Sequence, residues 1–237
     1  KYNGLNLTWE SLEGIVKHNG KFDNIIPVTI KKYNNIYNLN LDKNPSLEAQ
    51  IASISDDVAY NNHDIDDAVR ANLISLKDLI SIDYFKTIHE NIFKTYKNLS
   101  EIMMVGEIVR RSINIMVNDI IKQTKENIIN NSIKTYENIH NSPNFLVTMS
   151  KKMLDDCISI KKFLYSNVYN HKYLQDKRRE SQLKIYKIFD YYSDNFSSLP
   201  LDWREKLENM EKERIICDYI SGMTDRYAST QYNKING

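Results

Sequence analysis

Only six glycines and four prolines occur in 237 residues. That scarcity of chain breakers constrains the fold more than any single motif. A β architecture needs a turn every few residues, and Gly and Pro supply most turn conformations. A chain this poor in them, and rich in Ile, Leu, Lys, Glu and Asn, points to long helices. Hydrophobic residues make up 41% and charged residues 27%, so a core can be buried. The length suits one large domain or two small ones; we read one all-α helical domain over residues 1–237.

Charge and cysteine content exclude some classes. The formal net charge is +1, so no global field draws in an anionic membrane or nucleic acid. Nucleic acid is a conceivable partner that nothing here indicates. No stretch of about 18 apolar residues exists, so no membrane span is expected. Cys157 and Cys217 are far apart and read as reduced thiols of a cytoplasmic protein. Phosphate loops, CxxC pairs, HExxH and serine-nucleophile elbows are all absent.

Start and stop signals divide the chain. Thr8 caps a helix to about His18, and Asn19-Gly20 stops it. Residues 21–44 dissolve into a polar loop with a short extended piece at Ile25–Ile30. Pro45-Ser46 opens the next helix, with Leu47, Ile51, Ile54 and Val58 inward. Helices follow over 68–80, 84–96, 100–130 (Met104, Ile108, Ile115, Val117 and Ile121 inward), 150–170, 172–192 (Leu183, Ile185, Ile188 and Phe189 inward) and 203–219.

Three polar clusters stand out. Residues four apart on a helix share a face, so Asp56, Tyr60 and Asp64 form one row. Such a row could hold a metal at one end and a hydroxyl-bearing ligand along it; a solvated face is the plainer alternative. Lys161, Tyr165 and Tyr169 repeat that spacing, as a phosphate and base contact or as a lysine covering an aromatic edge. Arg226, in Gly222-Met223-Thr224-Asp225-Arg226-Tyr227, is a candidate partner for a carboxylate, a phosphate or a neighbouring subunit, or for a structural ion pair. His63-Asp64 with His18 upstream is a weak mimic of a metal-binding histidine and His-Asp set.

The blocks in order resemble a known family. Leu7-Thr8-Trp9-Glu10-Ser11-Leu12-Glu13-Gly14-Ile15-Val16-Lys17-His18-Asn19-Gly20 looks like the LTWETLEGxxKHNG block of bacterial deoxyguanosinetriphosphate triphosphohydrolase-like proteins. Ser46 to Gln50 and Asp56 to Asp67 look like their SLEAQIAxxxDDIAYNxHDxDD block. Tyr165 to His171, Leu199-Pro200 with Trp203, and Asp218 to Ala228 resemble the later blocks. The family belongs to the all-α HD superfamily. The resemblance implies an HD-domain-like helical bundle and metal-dependent hydrolysis of a deoxynucleoside triphosphate to deoxynucleoside and inorganic triphosphate. By resemblance, Asp56 is a metal ligand for Mg²⁺ or Mn²⁺, Tyr60 and Asp64 contact the sugar 3′-hydroxyl, and Tyr169 lies near base and sugar. His63 then flanks the site. Lys17, Lys161 and Arg226 are candidates for neutralising phosphate charge. The family commonly forms homo-oligomers, so one is expected here. The family's other metal ligands, a histidine and a His-Asp pair, lie ahead of the block that opens at Leu7. The chain therefore resembles the C-terminal portion of the enzyme, with the N-terminal part of the fold absent. The alternative is a catalytically incomplete nucleotide-binding or oligomer-forming remnant.

Overall fold

The computed structural model describes residues 4–22, 25–208 and 210–236. It is all-α: twelve α-helices and no strand occur among the described residues. The chain divides into two compact units, residues 1–168 and 169–237.

The first unit holds α1 (Trp9–Val16), α2 (Val28–Asn34), α3 (Leu47–Arg70), α4 (Leu76–Leu79), α5 (Asp83–Thr95), α6 (Glu101–Asn130), α7 (Tyr136–His140) and α8 (Lys151–Leu164). The starts follow the caps. The hydroxyls of Thr8, Ser46, Ser100 and Ser150 each accept from a backbone N–H three residues on, satisfying donors that a helix start leaves open. The long α6 packs against α3 and α5, and α3 packs in turn on α1 and α8. Ile65, Phe85, Ile92, Ile108, Met116, Ile160 and Leu164 are fully buried.

Several expectations differ from this outcome. The extended piece at Ile25–Ile30 is replaced by α2, which starts after Pro27. Its β-branched run reads as strand, yet no neighbouring strand pairs with it, and the backbone closes locally through Lys31 N–H to the Pro27 carbonyl. The helix expected over 68–80 breaks after Arg70. Asn72 turns left-handed at φ 54°, and Ser75 and Asp78 form a capping box that starts α4. On α6, Met104 and Ile108 are buried as expected, but Ile115, Val117 and Ile121 are exposed; the buried face there runs through Ser112 and Met116. On α3, Ile51 is exposed, while Gln50, Asn61 and Asn62 are buried with Val58 and Ile65. The Gln50 side-chain oxygen accepts from Leu146 and Val147 N–H, and its amide donates to the Pro45 carbonyl. Those bonds make a polar interior position tolerable.

The second unit holds α9 (Lys172–Asp194), α10 (Leu201–Arg204), α11 (Lys212–Ser221) and α12 (Asp225–Asn236). Its core gathers Ile188, Tyr192, Leu199, Ile215, Ile216, Tyr219 and Ile220. Tyr219 meets Tyr192 edge-on at 5.4 Å, and its hydroxyl lies 3.1 Å from that of Tyr227. Leu183 and Ile185, read as inward, are exposed, because the buried side of α9 lies toward its C-terminal end, at Ile188 and Tyr192.

Candidate functional site

α3 is 24 residues long and carries Asp56, Tyr60 and Asp64 in its middle. Asp56 and Tyr60 are exposed and Asp64 is half-buried. The same helix therefore presents a buried face through Val58, Asn61, Asn62 and Ile65 and an open face with the polar row.

α8 lies beside it. The Lys161 ammonium is 2.9 Å from the Asp57 carboxylate, tying the middle of α3 to the last turns of α8. At the other end, Gln50 near the start of α3 bonds Leu146 and Val147 just ahead of α8. The two helices thus run in the same direction. Asp57, Tyr60 and Asp64 share a face of α3 by their three- and seven-residue spacing, so the Lys161 ammonium and the α3 row belong to one helix pair. Two clusters that sequence reading treats separately meet here. Lys161 and Asp57 are both exposed, and such a pair is readily exchanged for another anion.

The remaining candidates fall elsewhere. After Leu164 the chain widens into a π-turn, Tyr165–Tyr169. Its i→i+5 bonding shifts the phase of the helix, so Tyr169 leaves the straight row that four-residue spacing would give with Lys161 and Tyr165. Tyr165 is exposed and Tyr169 half-buried. Arg226 lies exposed in the first turn of α12, in the second unit, with no ion pair among the described residues. Lys17 is fully buried. Its ammonium pairs with Glu13 at 2.5 Å and donates to the carbonyls of Asn40, Lys43 and Asn44 at 3.1–3.3 Å. The contact with Glu13 Oε1 is an ion pair outside hydrogen-bond angles. Glu13, also fully buried, accepts from Ser46 N–H at 3.5 Å through its other oxygen. An ammonium with four oxygen neighbours has no donor left for a phosphate. Lys17 here fastens α1 to the segment that leads into α3.

The donor set for a metal is small. Among the described residues no group of three or more His, Cys, Asp or Glu side chains stands close enough to hold a metal ion. Asp56 is a lone exposed carboxylate, and Mg²⁺ or Mn²⁺ needs more oxygen ligands than one side chain gives. These residues by themselves do not fit the metal. His63 is exposed on the flank of the row.

Sequence reading missed a cleft of about 680 Å³ bounded by α5, α6 and the start of α8, with Tyr84, Asn118, Asp119, Lys122 and Asp156 among its walls. Both Asp119 oxygens accept from Ser150, one from its N–H and one from its hydroxyl, at 2.7 Å each. Asp119 is thus spent on the first turn of α8. Burial raises the Asp156 carboxyl above its usual range, opposed by Lys152. No local signal reveals this cleft, because its walls come from helices distant in sequence.

Comparison with known proteins finds a family match for part of the chain. Residues 147–234 match the phosphohydrolase-associated domain. Over 99% of its length the chain is then similar to proteins named deoxyguanosinetriphosphate triphosphohydrolase-like: 36% identical to those of Bartonella henselae and Bartonella quintana, and 37% to that of Brucella ovis. It spans 61% of the length of each. The resemblance carried by the sequence blocks therefore holds along nearly the whole chain. Among the described residues no helix is long and apolar enough to cross a membrane.

Proposed function

We propose that this chain carries part of the substrate surface of a deoxynucleoside triphosphate triphosphohydrolase. The observation that supports the reading is the Lys161–Asp57 ion pair, which joins α8 to the helix that carries Asp56, Tyr60 and Asp64. Tyr60 and Asp64 grip the sugar 3′-hydroxyl, the carboxylate accepting its proton in a charge-assisted hydrogen bond. Lys161 leaves Asp57 to neutralise phosphate charge, with Arg226 as a further candidate. Tyr169 contacts the base and sugar. Asp56 would be one carboxylate among the ligands of a divalent metal, which would supply Lewis-acid polarisation of the phosphate only where further ligands complete its shell. Inorganic triphosphate leaves with the nucleoside as co-product, in the cytoplasm, from an enzyme that assembles as a homo-oligomer. A second reading is a nucleotide-binding remnant without catalysis; what supports it is that among the described residues no group of three or more His, Cys, Asp or Glu stands close enough to hold a metal ion.

The test is titration calorimetry of the chain with dGTP and with its 2′,3′-dideoxy counterpart, alongside triphosphate release with Mg²⁺ or Mn²⁺. A hydrogen bond to a charged group contributes about 1.5–3 kcal/mol, so the dideoxy compound should bind roughly 10- to 100-fold more weakly. The Asp64→Asn variant should lose most of that preference. Equal affinity for both nucleotides would refute the roles of Tyr60 and Asp64. Binding without triphosphate release would select the remnant.

A further inference from the structure

The cleft between α5, α6 and the start of α8 lies apart from the proposed substrate row. Asp156 lines it and Lys161 does not; the five-residue step between them is a turn of about 140° around α8. At about 680 Å³ it has the size of a small-molecule site. Its floor is apolar: Ile88 and Met153 are buried, and Ile115, on the same lining, stands 38% exposed. The Tyr84 ring adds an aromatic wall, with its hydroxyl 3.2 Å from that of Ser112.

Each of the three helices brings one carboxylate to the cleft: Asp83 from α5, Asp119 from α6 and Asp156 from α8. Asp156 is half-buried and forms no hydrogen bond or ion pair among the described residues. Burial raises its carboxyl, Lys152 opposes, and Asp155 and Asp119 raise it further. Burial first, then Cys157, Asp156 and Asp119, push the Tyr84 phenol up to about 12, against its bond to Ser112. Tyr84, Asp119 and Asp156 therefore act on one another across the cleft. Lys122 and Lys152 also line it, but both are exposed, and Lys152 closes no ion pair with Asp156 one turn on. Three carboxylates against two lysines leave the lining negative in formal charge.

Charge complementarity selects the ligand. Among the described residues no three His, Cys, Asp or Glu side chains stand close enough to hold a metal ion, so a bare divalent ion does not suit these oxygens. An ammonium or amidinium does, because a single carboxylate accepts from it in a charge-assisted hydrogen bond. A hydrocarbon body behind that head removes Ile88, Ile115 and Met153 from water. A polycation suits the cleft less, since its further charges meet Lys122 and Lys152.

We propose that the cleft between α5, α6 and α8 binds a small organic monocation, an ammonium or amidinium on an apolar body, with Asp156 as its anchoring carboxylate. The body lies against Ile115 and the Tyr84 ring. None of these residues takes part in the proposed nucleotide contacts.

Phenethylamine and benzamidine are the probes, titrated against the whole chain by calorimetry without nucleotide. Phenethyl alcohol and benzamide are their neutral counterparts. At least one cation should bind about tenfold more tightly than its counterpart. Methylamine, which lacks the body, phenylpropionate, which reverses the charge, and spermidine should all bind more weakly than that cation. Asp156→Asn keeps the shape of the side chain and breaks no bond of the fold; it should abolish the preference for the cation. Lys152→Glu, at an exposed site on the same lining, should tighten the cation. Asp155→Asn, next in sequence but outside the lining, should change little. Binding of neither cation at millimolar concentration overturns the proposal. So does equal affinity for cation and neutral counterpart, tighter binding of phenylpropionate or spermidine, or affinity indifferent to both Asp156→Asn and Lys152→Glu.

Discussion

Replacing Lys17 by Met should destabilise the first unit without touching nucleotide affinity. The ammonium is fully buried, pairs with Glu13 and donates to three backbone carbonyls of residues 40–44. Methionine keeps much of the volume and none of the donors. Glu13 then stays buried, its charge answered only by the 3.5 Å contact from Ser46 N–H, and three carbonyls lose their partner. Leaving one member of a buried ion pair uncompensated costs about 3–5 kcal/mol, a large share of the ~5–15 kcal/mol that holds a typical protein folded. With a urea slope of about 2–3 kcal/mol per molar, the midpoint should fall by roughly 1–2 M. Trp9 is the natural reporter, since its indole N–H donates to the Asn38 carbonyl at 2.8 Å, beside the fastened segment. A Trp203→Phe background removes the other tryptophan. The Glu13→Gln, Lys17→Met double variant leaves no charge unpaired and should cost less than the sum of its single changes. A single-variant loss under about 1 kcal/mol, or strict additivity in the double, would refute the account of Lys17 as a fastening. A selective loss of nucleotide affinity at unchanged stability would return it to the phosphate role.

Three further outcomes follow from the same geometry. His140 is buried, its ring edge-on to Tyr136 at 4.2 Å; burial and then the nearby Lys17 lower its pKa, opposed by Glu13 and by a backbone hydrogen bond at Asn44. The unfolded chain takes up this proton first, so stability holds above about pH 6.5 and falls below it, and His140→Phe should flatten the urea midpoint between pH 7.5 and pH 5.5. Burial lifts the Cys157 thiol to about 11, whereas Cys217 is exposed; Ellman titration at pH 8 should give one fast thiol, lost in Cys217→Ser, and two fast thiols would contradict the fold of α8. A double-mutant cycle on Asp57→Ala and Lys161→Ala should return no more than about 1 kcal/mol of stability, while Lys161→Ala alone weakens dGTP binding; a larger coupling would make the pair structural.

How much of this was readable beforehand varies by element. The starts of α1, α3, α6 and α8 were, because capping is local: Thr8, Ser46, Ser100 and Ser150 each sit within three residues of the N–H they accept from. The all-α class followed from the shortage of turn residues for the same reason. The row Asp56, Tyr60 and Asp64 needs only the helical period to align. The neighbour of that row did not show, since Lys161 reaches Asp57 across about a hundred residues of chain, and no periodicity encodes a distance of that kind.

Burial was the least legible property. Ile115 and Ile121 lie exposed although they read as core, and the polar Gln50, Asn61 and Asn62 lie inside. A helix pattern tells which residues share a face; only the partner helices decide which face is covered. The same division separates Lys17 from Lys161. Both are lysines in helical segments, and the sequence by itself determined the helices, their caps and the spacing of the polar row. Tertiary structure alone decided that one lysine is enclosed by four oxygens while the other stands open beside the row. A lysine's hydrogen-bonding follows from the oxygens packed around it, and those come from segments that meet only when the chain folds.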